Sequence, residues 1–149
     1  MTEADFGRFD LYAYWTSLSD KTGKPLKTDF DPIEVPQILR FLSMVMCADR
    51  LEDFTISVWG SELIELFREE RTGKSLGELQ LIENWEGTFA GYLTIRDTGL
   101  PNLLTGRTVS SERKHVEYER LSLPLWGPAP DTGELAVTHI ISQFRKISA

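Results

Sequence analysis

Trp85, Phe89 and Tyr92 recur at helical spacing in the middle of the chain, and Arg96 and Arg107 follow them closely in sequence. An apolar wall with a few orienting polar groups is what a small-molecule pocket requires. Tyr92, Arg96 or Arg107 would supply the polar tip, and either arginine suits a ligand carboxylate or phosphate because its planar fork offers paired N–H donors. Core packing is the more ordinary account of the aromatic stripe, and cap or surface roles account equally for the arginines. His139 lies in an alternating, strand-like segment and reads as a pocket or hydrogen-bonded core histidine. With Tyr92 it forms the one pair that could do acid–base work, which needs a group of shifted pKa facing a donor across a cavity.

Other chemical signatures are weak. Gly-rich phosphate loops, Cys-x-x-Cys pairs and His-x-x-x-His spacings do not occur, and Thr72-Gly73-Lys74-Ser75 lacks the upstream glycine of a Walker loop. A nucleotide-dependent enzyme is therefore disfavoured, and no metal set is expected. His115, beside Glu112, Arg113, Lys114 and Glu117, reads as part of a solvated, charged strand edge. The single Cys47 excludes an internal disulfide and suits a reducing compartment; in its apolar run it reads as a small buried hydrophobe.

The 149 residues fit one domain. A chain of this size buries roughly 68–70% of its unfolded surface, enough for a core without metal or disulfide staples. Asp and Glu number 23 against 16 Lys and Arg; the net charge of −7 disfavours nucleic acid and anionic membranes as partners. Met1-Thr2-Glu3-Ala4-Asp5 is acidic with no apolar run behind it, so no secretory signal is expected, and no apolar stretch reaches the roughly 18–20 residues of a membrane span. A cytoplasmic, soluble protein is the expectation.

The elements that must position these groups follow from periodicity. Phe9 to Leu18 spaces Leu11, Tyr14, Trp15 and Leu18 as an amphipathic helix, followed by a breaker-rich loop from Ser19 to Pro32. Tyr12, Tyr14 and Trp15 give this helix more aromatic surface than it can hide alone, so it must pack on its own domain or on a partner. Asp31-Pro32 predicts a capped short helix through Leu39, perturbed at Pro36. Leu42 to Cys47 and Phe54 to Trp59 predict an antiparallel pair of strands, with Phe54, Ile56 and Val58 on one face.

Gly60 ends that pair, Ser61 is placed to cap a helix burying Leu63, Ile64 and Phe67, and Thr72-Gly73 to end it in a left-handed turn. Ser75 to Leu79 predicts one further helical turn. The clearest helix runs from Ile82 to Arg96, with Glu83 and Glu86 at its positive end and Gly99 and Pro101 closing it. Three strands follow: Leu103 to Val109, Val116 to Leu125 and Leu135 to Ile147, the last two joined by a turn over 127–133. Alternation puts Leu121, Leu123 and Leu125 on an inward face. It also groups Leu135, Val137, His139 and Ile141 against Thr138, Ile140, Ser142 and Phe144. The cavity is expected between Trp85, Phe89, Leu121, Leu123 and His139. The fold class is α+β: a five-stranded antiparallel sheet with helices on one face and an N-terminal helix.

Several strings, in order, carry a family resemblance: Tyr14-Trp15 with Ser17-Leu18, Asp31-Pro32 with Pro36, Leu42 through Asp49, and Val58-Trp59-Gly60-Ser61-Glu62-Leu63. Leu66-Phe67, Thr72-Gly73-Lys74-Ser75-Leu76 and Glu119-Arg120-Leu121-Ser122-Leu123-Pro124-Leu125 continue it. Together with the element order they resemble a PAS domain, and in particular the short, stand-alone bacterial PAS proteins. The resemblance implies an N-terminal helix and loop over 1–30 and the PAS fold over 31–149. It implies a sensory or interaction module whose sheet and overlying helices enclose a small ligand, and whose N-terminal helix supports a homodimer. Trp59 and Ser61 depart from the smaller or aliphatic residue and the Thr more often found there, which bears on pocket shape.

Haem sensors of this family take an axial His from the long helix, and Ile82 to Arg96 contains none; His139 is a poor substitute. Flavin photosensors carry their reactive Cys within the helical run, whereas Cys47 lies in the first strand. The cofactor is left open. The leading expectation is a non-enzymatic PAS module in signal transduction, acting through a signalling protein partner and a possible small-molecule ligand. The alternative is a small cone-shaped, ketosteroid-isomerase-like enzyme using Tyr92 and His139.

Overall fold

Alternation along five strands dictates the architecture, because each strand must hide two sets of side chains under different covers. The computed structural model describes residues 3–18, 23–82, 84–109 and 115–148. Its strands are β1 (Leu42–Met46), β2 (Thr55–Trp59), β3 (Asn102–Val109), β4 (His115–Pro128) and β5 (Leu135–Ser148), and its helices α1 (Glu3–Phe6), α2 (Asp10–Ser17), α3 (Ser61–Phe67) and α4 (Trp85–Thr98). The sheet order is β2-β1-β5-β4-β3, with every neighbouring pair antiparallel. The expected five-stranded antiparallel platform, with the middle third of the chain as its roof, is what forms.

One face lies under α2 and the segment 30–41. Leu42 and Met44 of β1, Leu121, Leu123 and Leu125 of β4 and Ile141 of β5 pack there with Phe9, Leu11 and Phe30. Docking of α2 is specific: Trp15 Nε1 donates to the Pro124 carbonyl at 2.7 Å, and the buried Gln143 side chain accepts from Leu11 N at 3.0 Å. The aromatic surface of the N-terminal helix therefore packs on its own domain. Asp31 caps as expected, its carboxylate accepting from Ile33 N, yet only a single 3-10 turn forms at Pro32–Glu34.

The opposite face meets α3, α4 and the 3-10 turn Leu76–Leu79, which Ser75 and Glu78 close as a capping box. Here Val45, Ile56, Ile140 and Val137 pack against Phe89, Tyr92 and Ile95 of α4. Gly99, with φ of +68°, ends α4 where the sequence placed its stop. Glu86 lies in the first turn of α4, while Glu83, Ser19 and the run Glu112, Arg113 and Lys114 lie outside the described residues.

Three expectations need correction. Leu121, Leu123 and Leu125 do alternate, but toward α2 rather than toward α4, so Arg120 and Ser122 face the roof. Val58 and Val137 are switched between faces by bulges. Met44 pairs Val58 and Val45 pairs Ile56, leaving Ser57 unopposed, while Leu125 pairs His139 and Trp126 pairs Val137, leaving Thr138 unopposed. Finally, the cap of α3 is Gly60 rather than Ser61, and its left-handed end is Arg68 rather than Gly73. Gly60 is required by close approach, since a Cβ there would collide with the Arg40 carbonyl.

Candidate functional site

β4 delivers a charged side chain to the roofed face at its centre. Arg120 pairs across the sheet with Phe144 on β5 and Leu104 on β3, and its side chain is 1% exposed. Its Nη1 donates to the Thr88 carbonyl of α4 at 3.0 Å, and its guanidinium stacks 4.5 Å from the centre of the Tyr92 ring. Nε and Nη2 are buried and have no hydrogen-bond partner among the described residues. A buried charge with two of its three nitrogens unmatched is costly and rare.

Between this face of the sheet and α4 lies a space of about 700 Å³, walled by Arg120, Tyr92, Phe89, Tyr118, Phe144, Trp59, Phe67 and Arg71. Its aromatic wall is self-supporting: Phe67 meets Tyr118 edge-on at 5.3 Å and Phe144 at 5.5 Å, and Trp59 meets Phe144 at 6.2 Å. Tyr118 is seated by Gly106 of β3, where any Cβ would strike the phenol ring. Burial raises the Tyr118 pKa against the opposing pull of Arg120, so the phenol is a neutral donor at pH 7.

Arg71 is a second buried guanidinium, 6% exposed, stacked 5.1 Å from the Trp59 ring centre and 5.0 Å from that of Phe67. Burial lowers its pKa, and Glu69, whose Oε2 lies 3.4 Å from Nε, opposes the shift. A hydrogen bond from Lys74, with the charge of Arg71, holds Glu69 below the usual carboxylate range. Glu69 thus offsets Arg71, while Arg120 has no carboxylate partner among the described residues.

A second, more open cavity of about 920 Å³ lies at the other end of α4, lined by Leu26, Met46, Cys47, Arg96, Trp126 and His139 among others. Arg96 is tied there, Nη1 donating to the carbonyls of Ala48 at 2.7 Å and Asp49 at 2.8 Å. Burial, then the charge of Lys27, lowers the His139 pKa; its Nδ1 lies 2.9 Å from Thr138 Oγ1. Burial pushes the Cys47 thiol up to about 12, which leaves it protonated and unreactive.

The six residues singled out from sequence therefore do not make one site. Phe89 and Tyr92 wall the first cavity, and Arg107 stands exposed at its rim, 3.5 Å from Glu117. Trp85 packs in the core and donates to the Leu76 carbonyl. Arg96 and His139 line the second cavity. Tyr92 and His139 do not converge, so the isomerase-like alternative gains no support. Arg120 and Arg71 were missed. Arg120 was legible as a charge inside a hydrophobic strand, whereas Arg71 sits in Glu69-Glu70-Arg71-Thr72-Gly73-Lys74, which reads as a solvated turn.

A family profile described as PAS domain matches residues 6–137. The chain belongs to the PAS domain family. No curated protein matches it. Among solved structures, a fungal LOV domain photoreceptor is similar at 10% identity and a TM-score of 0.49, over 93% of this chain and 92% of that one. A variant of RsLOV is similar at 10% identity and a TM-score of 0.47, over 80% of this chain and 71% of that one. PAS domains are sensory modules, and this PAS domain carries its cavity under the roof that the sheet supports. Among the described residues no helix is long and apolar enough to cross a membrane.

Proposed function

We propose that the protein is a non-enzymatic PAS sensor whose input is a small molecule held between α4 and the sheet, and whose output is a change in non-covalent contacts read by a partner protein. The observation that carries this reading is the roofed cavity of about 700 Å³ with buried polar groups in an aromatic wall.

The physical route from input to output is α4. Phe89 and Tyr92 face the cavity, and Arg96, one turn beyond Tyr92, is bonded to the carbonyls of Ala48 and Asp49. A ligand that prefers one seating of α4 shifts the population of that seating by no more than its differential affinity. The shift then reaches the 47–50 corner through Arg96.

Native mass spectrometry of the full chain, purified without denaturation, tests the input. The expected result is a stoichiometric small-molecule adduct that is lost under denaturing conditions, with slower amide exchange in α4 when the adduct is present. A chain that stays adduct-free, and whose α4 exchange does not respond to a metabolite extract, overturns the reading.

A further inference from the structure

Arg120 narrows what the cavity accepts, and the inference rests on the sensory reading just given. Its two unmatched nitrogens, Nε and Nη2, lie on one edge of the planar guanidinium. That edge presents two parallel N–H donors, the arrangement that a carboxylate meets with both oxygens. The plane is fixed from two sides: Nη1 is held by the Thr88 carbonyl and the guanidinium face rests on the Tyr92 ring. The guanidinium is therefore held in place, and a ligand that reaches its unmatched edge, which the ligand-free structure shields from solvent, meets a side chain that needs little further ordering.

Charge sets the valence of the occupant. Arg71 has Glu69, which the partly exposed Lys74 also bonds, and Arg107 at the rim lies beside Glu117, whereas the buried Arg120 has no carboxylate partner among the described residues. A monoanion neutralises it; a dianion such as a phosphate monoester at pH 7 would bring a surplus negative charge into a low-dielectric space. Beyond the guanidinium the wall is aromatic, with Trp59, Phe67, Tyr118 and Phe144 in mutual edge and tilted contacts. This surface suits a flat apolar body, and the neutral Tyr118 phenol adds one donor to orient it.

We infer that the cavity binds a small monocarboxylate with a flat hydrophobic body, its carboxylate paired side-on with Arg120 Nε and Nη2. The test titrates the full chain with phenylacetate, with phenylacetamide as its neutral isostere, and with phenyl phosphate, read by calorimetry and by melting temperature. Phenylacetate is expected to bind, with the amide and the phosphate each about tenfold weaker or worse. Arg120→Met is expected to erase the preference for the acid while leaving the apo protein folded, since it removes a buried, incompletely matched charge. Arg120→Lys, which keeps the charge but loses the fork, is expected to bind phenylacetate more weakly than the native chain and still prefer it to the amide.

Amide and acid binding equally, or a preference that survives Arg120→Met, overturns the carboxylate assignment and leaves the sensory cavity standing. Phenyl phosphate binding as tightly as phenylacetate overturns the monoanion assignment. Failure of all three probes at millimolar concentration overturns the proposal outright, and the adduct experiment above then decides separately whether the cavity receives any ligand.

Discussion

The two faces of one sheet are built from alternate residues of the same strands, yet they differ in kind. Under α2 the central strands present Leu121, Leu123, Leu125, Ile141, Leu42 and Met44, a closed aliphatic layer. Under α4 the face is mixed: Val45, Ile56, Val137 and Ile140 pack on the helix, and beside them stand Arg120, Ser122, Ser142, Phe144 and Ser43, with a 2.6 Å hydrogen bond between Ser122 and Ser142. Both faces bury an apolar cluster, and the α4 face also holds space and a buried cation with unmatched donors. The apolar burial on the two sides offsets the cost of that cation, a cost that a domain of marginal stability must meet elsewhere.

The sharpest way to break this contrast is to weaken the sealed layer. Leu123 is fully buried among aliphatic neighbours, so Leu123→Ala is expected to cost roughly 2–5 kcal/mol in urea unfolding. A cost under about 1 kcal/mol would mean that the α2 face is not the sealed layer described above. Gly106→Ala acts on the other side, driving a methyl group against the Tyr118 ring. Overpacking of this kind costs about 1–3 kcal/mol and tilts the cavity wall, so the measured outcome is a moderate loss of stability together with loss of ligand binding.

Arg120→Met has the opposite sign. Replacing a buried charge whose partners are incomplete by an apolar chain of similar length is expected to leave stability unchanged or raise it by about 1 kcal/mol. Chemical denaturation of the ligand-free chain checks it. A loss above about 2 kcal/mol would show that Arg120 is a structural strut through Thr88 and Tyr92, and the functional distinction between the two faces would fall.

Much of this organisation was legible beforehand. Hydrophobic period gave five strands and the long helix, Gly99 stopped α4, and the helical turn expected over Ser75 to Leu79 forms as a 3-10 turn. What failed was parity. A leucine every second residue says that a face is buried but not which cover lies on it, and this sheet is covered on both sides. Reading Leu121 and Leu123 as walls of the cavity put Arg120 outside, when Arg120 lines the cavity and the leucines lie under α2. The bulges at Ser57 and Thr138 compounded this, because one extra residue moves Val58 and Val137 to opposite faces from those that strict alternation gives. Arg71 was hidden by a local sequence that resembles a solvent-facing turn; only tertiary packing on Trp59 and Phe67 buries it.

His139 offers the smallest and most selective test, because it opposes Leu125 in the register yet lines the cavity beyond the end of α4. Burial, reinforced by Lys27, places its folded pKa below the unfolded value of about 6.5. Well above that value the ring is neutral folded and unfolded, and it adds no pH dependence. As pH falls through 6.5 the unfolded chain takes up the proton first, so the folded state loses stability until its own imidazole protonates. His139→Gln keeps a polar group beside Thr138 but cannot titrate. The stability difference between the native chain and this variant should therefore shrink in favour of the variant as pH drops from about 7 to 5, a shift smaller than any of those above because the site is only half-buried. Carboxylates common to both proteins cancel in that difference. A difference that stays flat with pH would place His139 in open solvent and detach the second cavity from the buried part of the sheet.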